Sequence, residues 1–175
     1  MRTPLCSVVA LLALLLAAPA WAGKINAGEI VVGRGANGAT LGMTRAEVVG
    51  ALGTPLDENL NGVMSYQPSS SAAEGIFDVY RTDKNGPVRM FIIAFPNNGK
   101  WTLDDGNKIF RRGAIQRLYD TYGDRVHKRT DVEDGSKNLF IRGRFHGRRV
   151  RTEFLVDRYS KTKGKVLDVF ILYFD

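Results

Sequence analysis

The sequence has little of the chemistry on which disulfides, thiolate metal sites and the common hydrolases depend. Of its 175 residues, one is a cysteine, Cys6, and two are histidines, His127 and His146. A single thiol cannot close a disulfide within the chain, and neither a G-x-S-x-G nucleophile elbow nor an H-E-x-x-H zinc motif occurs. We therefore predict a protein that is not an enzyme and that uses no cofactor or metal ion.

Residues 1–22 have the pattern of a secretory signal peptide. Arg2 precedes an apolar run over residues 8–18, and small residues follow at Ala20 and Ala22. The run is too short to cross a bilayer as a helix, so we expect cleavage after Ala22 and export to the periplasm or the medium. Because Cys6 lies inside this segment, the mature chain would have no thiol for a disulfide or a lipid anchor.

The remaining chain, residues 23–175, has the length of a single domain and carries its positive charge unevenly. From residue 108 onward it has 17 basic and 9 acidic residues, whereas residues 23–107 have 7 basic and 9 acidic residues. A cationic second half suits an anionic partner such as a lipid headgroup, lipopolysaccharide or an acidic polymer. Nucleic acid would suit the charge equally well, but the expected export argues against it.

The best-defined local pattern is that of a short helix over residues 44–52. Thr44 and Glu47 have the spacing of a capping box, in which each side chain accepts a hydrogen bond from the other residue's backbone. Gly53 can adopt a positive φ at the end of the helix, and Pro55 prevents its continuation. We expect this helix to pack its apolar side against the core.

A second amphipathic helix is predicted at about 112–122, with Leu118 on its apolar side and Gly123 at its end. Its apolar positions match those of the first helix at an offset of 70 residues. This weak repeat suggests two related halves, at 38–100 and 101–175, each with a helix followed by strands.

Six segments rich in apolar residues predict strands joined by tight turns. They lie at 63–67, 76–81, 88–95, 138–145, 149–157 and 166–174. Short strands with tight turns favour an antiparallel sheet. We therefore predict an α+β fold, a single domain over 23–175 in which two short helices pack on one face of an antiparallel sheet.

Two segments imitate ligand-binding motifs. Residues 33–38 match G-x-G-x-x-G, and Asp57 follows at about the distance of a dinucleotide fingerprint. The helix pattern begins six residues too late for that motif, so we interpret the segment as a flexible loop. Residues 83–86 resemble half of a calcium loop but lack the remaining ligands, and we interpret them as a hairpin turn.

One polar cluster could bind a ligand. If His146 and Gly147 form a two-residue turn, Arg144 lies opposite Arg149 and Arg142 lies opposite Arg151. Four guanidinium groups then share one face of the hairpin, those of Arg142, Arg144, Arg149 and Arg151. Like charges directly opposite each other are destabilising. Either a bound phosphate or carboxylate offsets them, or Glu153 and Asp157 do so on the same face.

Two stretches, Gly42-Met-Thr-Arg-Ala-Glu-Val48 and Ala51-Leu-Gly-Thr-Pro-Leu56, resemble the signature of the BamE (SmpA/OmlA) family of small outer-membrane lipoproteins. They are also similar to the repeat motif of the secreted beta-lactamase inhibitor proteins. The resemblance implies an α+β fold and protein binding within the cell envelope. The chain departs from both families because it lacks the lipid-anchoring cysteine of the first and the disulfide pair of the second. No functional residue carries over, since the matching residues are helix caps and core contacts.

These observations lead to three functional hypotheses, in order of preference. The first is a non-catalytic protein-binding module of the envelope, an assembly accessory or an inhibitor, with an envelope or extracellular protein as partner. The second is a binder of anionic envelope ligands through the arginine hairpin. The third is an enzyme assembled from scattered acidic residues, which sequence alone leaves open.

Overall fold

The computed structural model describes residues 24–25, 28–68, 75–94, 101–106, 113–130, 137–156 and 166–174, and the structural statements below concern these residues. The predicted signal peptide, with Cys6, lies outside them. Within the described part, no helix has the length and apolar content needed to cross a bilayer.

Thirteen strands and two α-helices are described. In chain order they are β1 (Lys24–Ile25), β2 (Glu29–Val31), β3 (Gly35–Ala36), β4 (Ala39–Thr40), α1 (Arg45–Leu52), β5 (Asp57–Glu58), β6 (Val63–Pro68), β7 (Ile76–Arg81), β8 (Val88–Ala94), β9 (Thr102–Leu103), α2 (Ala114–Tyr122), β10 (Val126–Thr130), β11 (Lys137–Phe145), β12 (Arg148–Val156) and β13 (Val166–Tyr173). A 3₁₀ turn, Gly123–Arg125, joins α2 to β10.

This arrangement is sheet-rich, and the predicted α+β class is wrong. The described strands form a nine-stranded sheet and a four-stranded sheet, whereas the helices have only eight and nine residues. The helices predicted at 44–52 and 112–122 are present as α1 and α2. The class differs because the glycine-rich segment before α1, of which we interpreted residues 33–38 as a flexible loop, forms three strands of the second sheet.

The segment over residues 33–38 shows why glycine-rich sequence forms strands here. Asn37 and Gly38 have φ values of 51° and 82° and close a two-residue turn between β3 and β4. At Gly35 a Cβ atom would lie 2.0 Å from the Ala39 carbonyl oxygen, so only glycine permits this close approach. The flexible-loop interpretation is therefore wrong. A strand follows Gly38, where a dinucleotide fingerprint would require a helix.

The large sheet is antiparallel apart from β1, which pairs in parallel with β6. Its order is β1-β6-β7-β8-β13-β12-β11-β10, with β5 beside β6. Two meanders, one after each helix, meet where β8 pairs with β13. The antiparallel prediction is confirmed, whereas the relation between the two halves stays a prediction.

The core lies on one face of the large sheet, beneath the helices and the small sheet. Val48 of α1 and Leu118 of α2 are 0% exposed, so both helices pack as predicted. Phe77 contacts Phe91 and Trp101, with ring centroids 6.1 and 5.8 Å apart. Burying a large apolar side chain contributes roughly 1.5–3 kcal/mol, so this face supplies most of the driving force for folding.

The ends of α1 follow the sequence pattern. Thr44 is the N-cap, its backbone N donates to Glu47 Oε2 at 2.7 Å, and its side chain accepts from the Glu47 backbone N. The predicted capping box is confirmed. At the other end, Gly53 has a φ of 83° and donates to the Val49 carbonyl.

A buried arginine connects α1 to the first meander. Arg81 of β7 is 1% exposed, pairs with Glu58 through Nη2 and donates through Nη1 to the Lys84 carbonyl. Oε2 of Glu58 also accepts a hydrogen bond from Nε of Arg45 at 2.9 Å. The hydrogen bond from Arg45 is the main cause that lowers the pKa of Glu58. The Glu58 carboxylate therefore pairs with the guanidinium groups of both Arg45 and Arg81.

Candidate functional site

The hairpin of β11 and β12 has the predicted register. Arg142 lies opposite Arg151, and Arg144 lies opposite Arg149. His146 and Gly147 form the turn, with φ values of 49° and 75°. The sequence signal was sufficient here because a two-residue turn fixes which residues face each other. The four arginines on this face, Arg142, Arg144, Arg149 and Arg151, are called the arginine face below.

Two phenylalanine rings contact three members of the arginine face. The Cζ atom of Arg142 lies 5.0 Å from the Phe140 ring centroid. Those of Arg149 and Arg151 lie 5.5 and 5.2 Å from the Phe174 ring centroid. Cation–π contacts of this kind contribute on the order of 0.5–1 kcal/mol at exposed sites. The rings therefore offset part of the repulsion between the like charges.

Acidic residues neutralise only one member of the arginine face within the described chain. Nε of Arg151 lies 2.7 Å from Glu153 Oε1, an ion pair without an aligned hydrogen bond. Arg144 donates to the Gly147 carbonyl at 3.1 Å, which leaves its charge uncompensated. Asp157, the other predicted partner, lies outside the described residues. Arg142, Arg144 and Arg149 make no ion pair with a described carboxylate.

A pocket of about 220 Å³ lies beside the hairpin, and arginines from three separate segments line it. Arg34 comes from the turn between β2 and β3, Arg125 comes from the 3₁₀ turn, and Arg142 and Arg144 belong to β11. None of the described residues that line this pocket is acidic. Sequence reasoning missed Arg34 and Arg125, because no motif links two single arginines so distant from the hairpin.

A specific contact holds the turn between β2 and β3 against the hairpin. The backbone N of Gly33 donates to Oγ1 of the buried Thr152 at 2.8 Å, although 119 residues separate them. A Cβ atom on Gly33 would lie 3.3 Å from Val150 Cγ2, and its φ is 76°. The close approach at Gly33 therefore places the neighbouring Arg34 at the pocket.

A larger pocket, of about 540 Å³, lies on the BamE-like stretch beside the hairpin tip. Gly42, Met43 and Glu47 line it from one side, and His146 and Arg148 line it from the other. Glu47 is held in the capping box, and the backbone hydrogen bond from Thr44 lowers its pKa. No group of three or more His, Cys, Asp or Glu side chains suited to a metal ion occurs in the described ranges.

Comparison with known proteins identifies no relative of this chain. No family model, no curated protein and no solved structure matches the chain. The likeness of residues 42–56 to the BamE signature therefore stays a prediction based on those residues alone.

Proposed function

We propose that this protein is an exported, non-catalytic binding protein of the cell envelope whose arginine face binds anionic ligands. One observation supports this proposal above the others. Arg142, Arg144 and Arg149 lie together on one face of a hairpin and make no ion pair with a described carboxylate. The candidate ligands share phosphate or carboxylate groups, as in a lipid headgroup, lipopolysaccharide or an acidic polymer.

The chemistry of guanidinium favours such ligands. Arginine donates two parallel N–H bonds to a phosphate or carboxylate, and these charge-assisted bonds are about twice as strong as neutral ones. Arg142 packs on Phe140 and Arg149 packs on Phe174, and both arginine side chains are exposed to solvent. Side chains held this way lose less rotamer freedom when the ligand binds.

Vesicle binding tests the proposal. The double variant Arg144→Glu/Arg149→Glu should bind anionic vesicles at least tenfold more weakly than the unchanged protein, and raised salt should weaken binding of the unchanged protein. The matched control Arg89→Glu/Lys128→Glu alters two exposed cations elsewhere by the same charge. Equal retention of the Arg144/Arg149 variant, or an equal loss in the control, would contradict the proposal.

The second candidate is a protein-binding module, and the larger pocket supports it. Residues of the BamE-like stretch, Gly42, Met43 and Glu47, line that pocket, where a partner's segment could contact them together with the hairpin tip. Pull-down from an envelope extract should recover a stoichiometric partner that is lost with His146→Ala/Arg148→Glu. Repeated recovery of no partner would count against this candidate.

A further inference from the structure

We infer that the pocket of about 220 Å³ between Arg34, Arg125 and the edge of β11 is a separate site for a phosphate group carried on a small organic molecule or lipid headgroup. This inference rests on the proposed function only in taking an anion as ligand. The side chains that distinguish the site, Arg34 and Arg125, lie outside the arginine face.

The edge of β11 supplies one backbone donor to this site. β10 begins at Val126, opposite Ile141, so no described strand pairs with β11 on that side beyond Ile141. Phe145 and Arg148 close the two-residue turn and are hydrogen-bonded to each other, and hydrogen-bonded pairs alternate along an antiparallel ladder. The backbone N–H of Arg144 therefore points away from β12, toward the open edge, whereas that of Arg142 is directed at the residue that precedes β10. An N–H group at a sheet edge adds to an anion-binding concavity.

Two guanidinium groups face these donors from other segments. The Cζ atom of Arg34 lies 5.8 Å from the Phe145 ring centroid, and that of Arg125 lies 5.8 Å from the Tyr122 ring centroid. Both side chains are exposed, and neither makes an ion pair with a described carboxylate. The pocket thus combines two positively charged forks with the backbone N–H of Arg144, and none of the described residues in its lining is acidic. Guanidinium groups bind phosphate through strong charge-assisted hydrogen bonds.

The floor of the pocket is small and apolar. Gly143 leaves space next to Val150, because a Cβ atom built on Gly143 would lie 3.5 Å from Val150 Cγ2. The pocket has room for more than one water-sized group, so it can hold a phosphate together with part of its carrier. A larger side chain at Gly143 would occupy this space without any change of charge.

Titration calorimetry with glycerol 3-phosphate and with vesicles of phosphatidic acid in phosphatidylcholine tests the inference. The variants Arg34→Gln/Arg125→Gln and Gly143→Val should bind at least one of these ligands tenfold or more weakly than the unchanged protein. The control Arg149→Gln/Arg151→Gln, on the arginine face, should weaken that ligand less. If the pocket variants lose binding of glycerol 3-phosphate, the ligand is a free phosphate ester. If they lose only binding of the vesicles, the ligand is a lipid headgroup.

Each outcome separates this site from the arginine face. Unchanged binding of both ligands by the pocket variants, or no binding of either by the unchanged protein, would overturn the inference. A weakened ligand in the pocket variants together with an unaffected Arg149→Gln/Arg151→Gln variant, whose changes lie outside the pocket lining, would support the pocket and reject the proposed role of the arginine face. Thermal melting confirms that each variant is folded before it is titrated.

Discussion

Replacing Glu58 with glutamine should lower the free energy of unfolding by about 3 kcal/mol, because it leaves a buried guanidinium without its counterion. Arg81 is 1% exposed, and the only described carboxylate with which it forms an ion pair is that of Glu58. Breaking a buried ion pair typically costs about 3–5 kcal/mol. The Glu58 side chain is 19% exposed, so water compensates part of the loss and the lower end of that range applies.

A double-mutant cycle separates this effect from the loss of the surface pair. Arg81→Met removes the buried charge and leaves Glu58 paired with Arg45, so it should cost only about 1 kcal/mol. In that background, Glu58→Gln breaks only the pair with Arg45, whose side chain is 51% exposed, and should cost less than about 1 kcal/mol. The coupling energy between Glu58 and Arg81 should therefore be about 2 kcal/mol.

Urea unfolding followed by tryptophan fluorescence measures these differences, since Trp101 is fully buried.

The pKa of Glu58 is lowered in the folded state, so its stabilisation is present above the unfolded value of 4.5 and is lost as the pH falls through the folded value. The gap between the unchanged protein and Glu58→Gln should shrink below about pH 4.5. Glu29→Gln, at an exposed position, is the control. A Glu58→Gln variant within about 0.5 kcal/mol of the unchanged protein, or strictly additive effects in the cycle, would refute the reasoning.

Two further predictions concern burial in the core and on the other face of the sheet. Val48→Asp places an unpaired charge at a position that is 0% exposed and should unfold the protein, whereas a soluble variant that melts cooperatively would contradict the placement of α1. Asp168→Asn should raise the Tm at pH 7 by about 2 °C, because burial raises the pKa of Asp168 and so disfavours its charged form. That penalty grows as the pH rises from 3.8 through the folded pKa, so calorimetry at pH 3 should show a smaller difference, and a lower Tm at pH 7 would contradict it.

The predictable elements are those in which local chemistry and tertiary packing agree. The long strands of both meanders have apolar alternation that matches a half-buried sheet, and α1 has a complete capping box. β10 was missed because His127, Lys128 and Arg129 are all exposed at the sheet edge and carry no such alternation. Charged residues at an edge oppose pairing with other chains, and they also remove the pattern that identifies a strand.

The second sheet was missed for a different reason. Its strands are two or three residues long, and the pairing of β2 with β9 joins segments that are distant in sequence. The Asn37-Gly38 turn was the available signal, since this dipeptide favours two-residue hairpins. This signal was not used because the segment was interpreted as a flexible loop. The prediction was therefore an α+β fold instead of a sheet-rich one.

The sequence by itself determined the arginine face, because a two-residue turn at His146 and Gly147 imposes the cross-strand pairs through backbone geometry alone. Only the tertiary structure decided that Arg34 and Arg125 lie beside that hairpin. Their placement depends on the hydrogen bond from Gly33 to Thr152 and on the point where β10 begins. Contacts across 119 residues leave no periodic trace in the chain, because they arise from packing of whole elements rather than from neighbouring side chains.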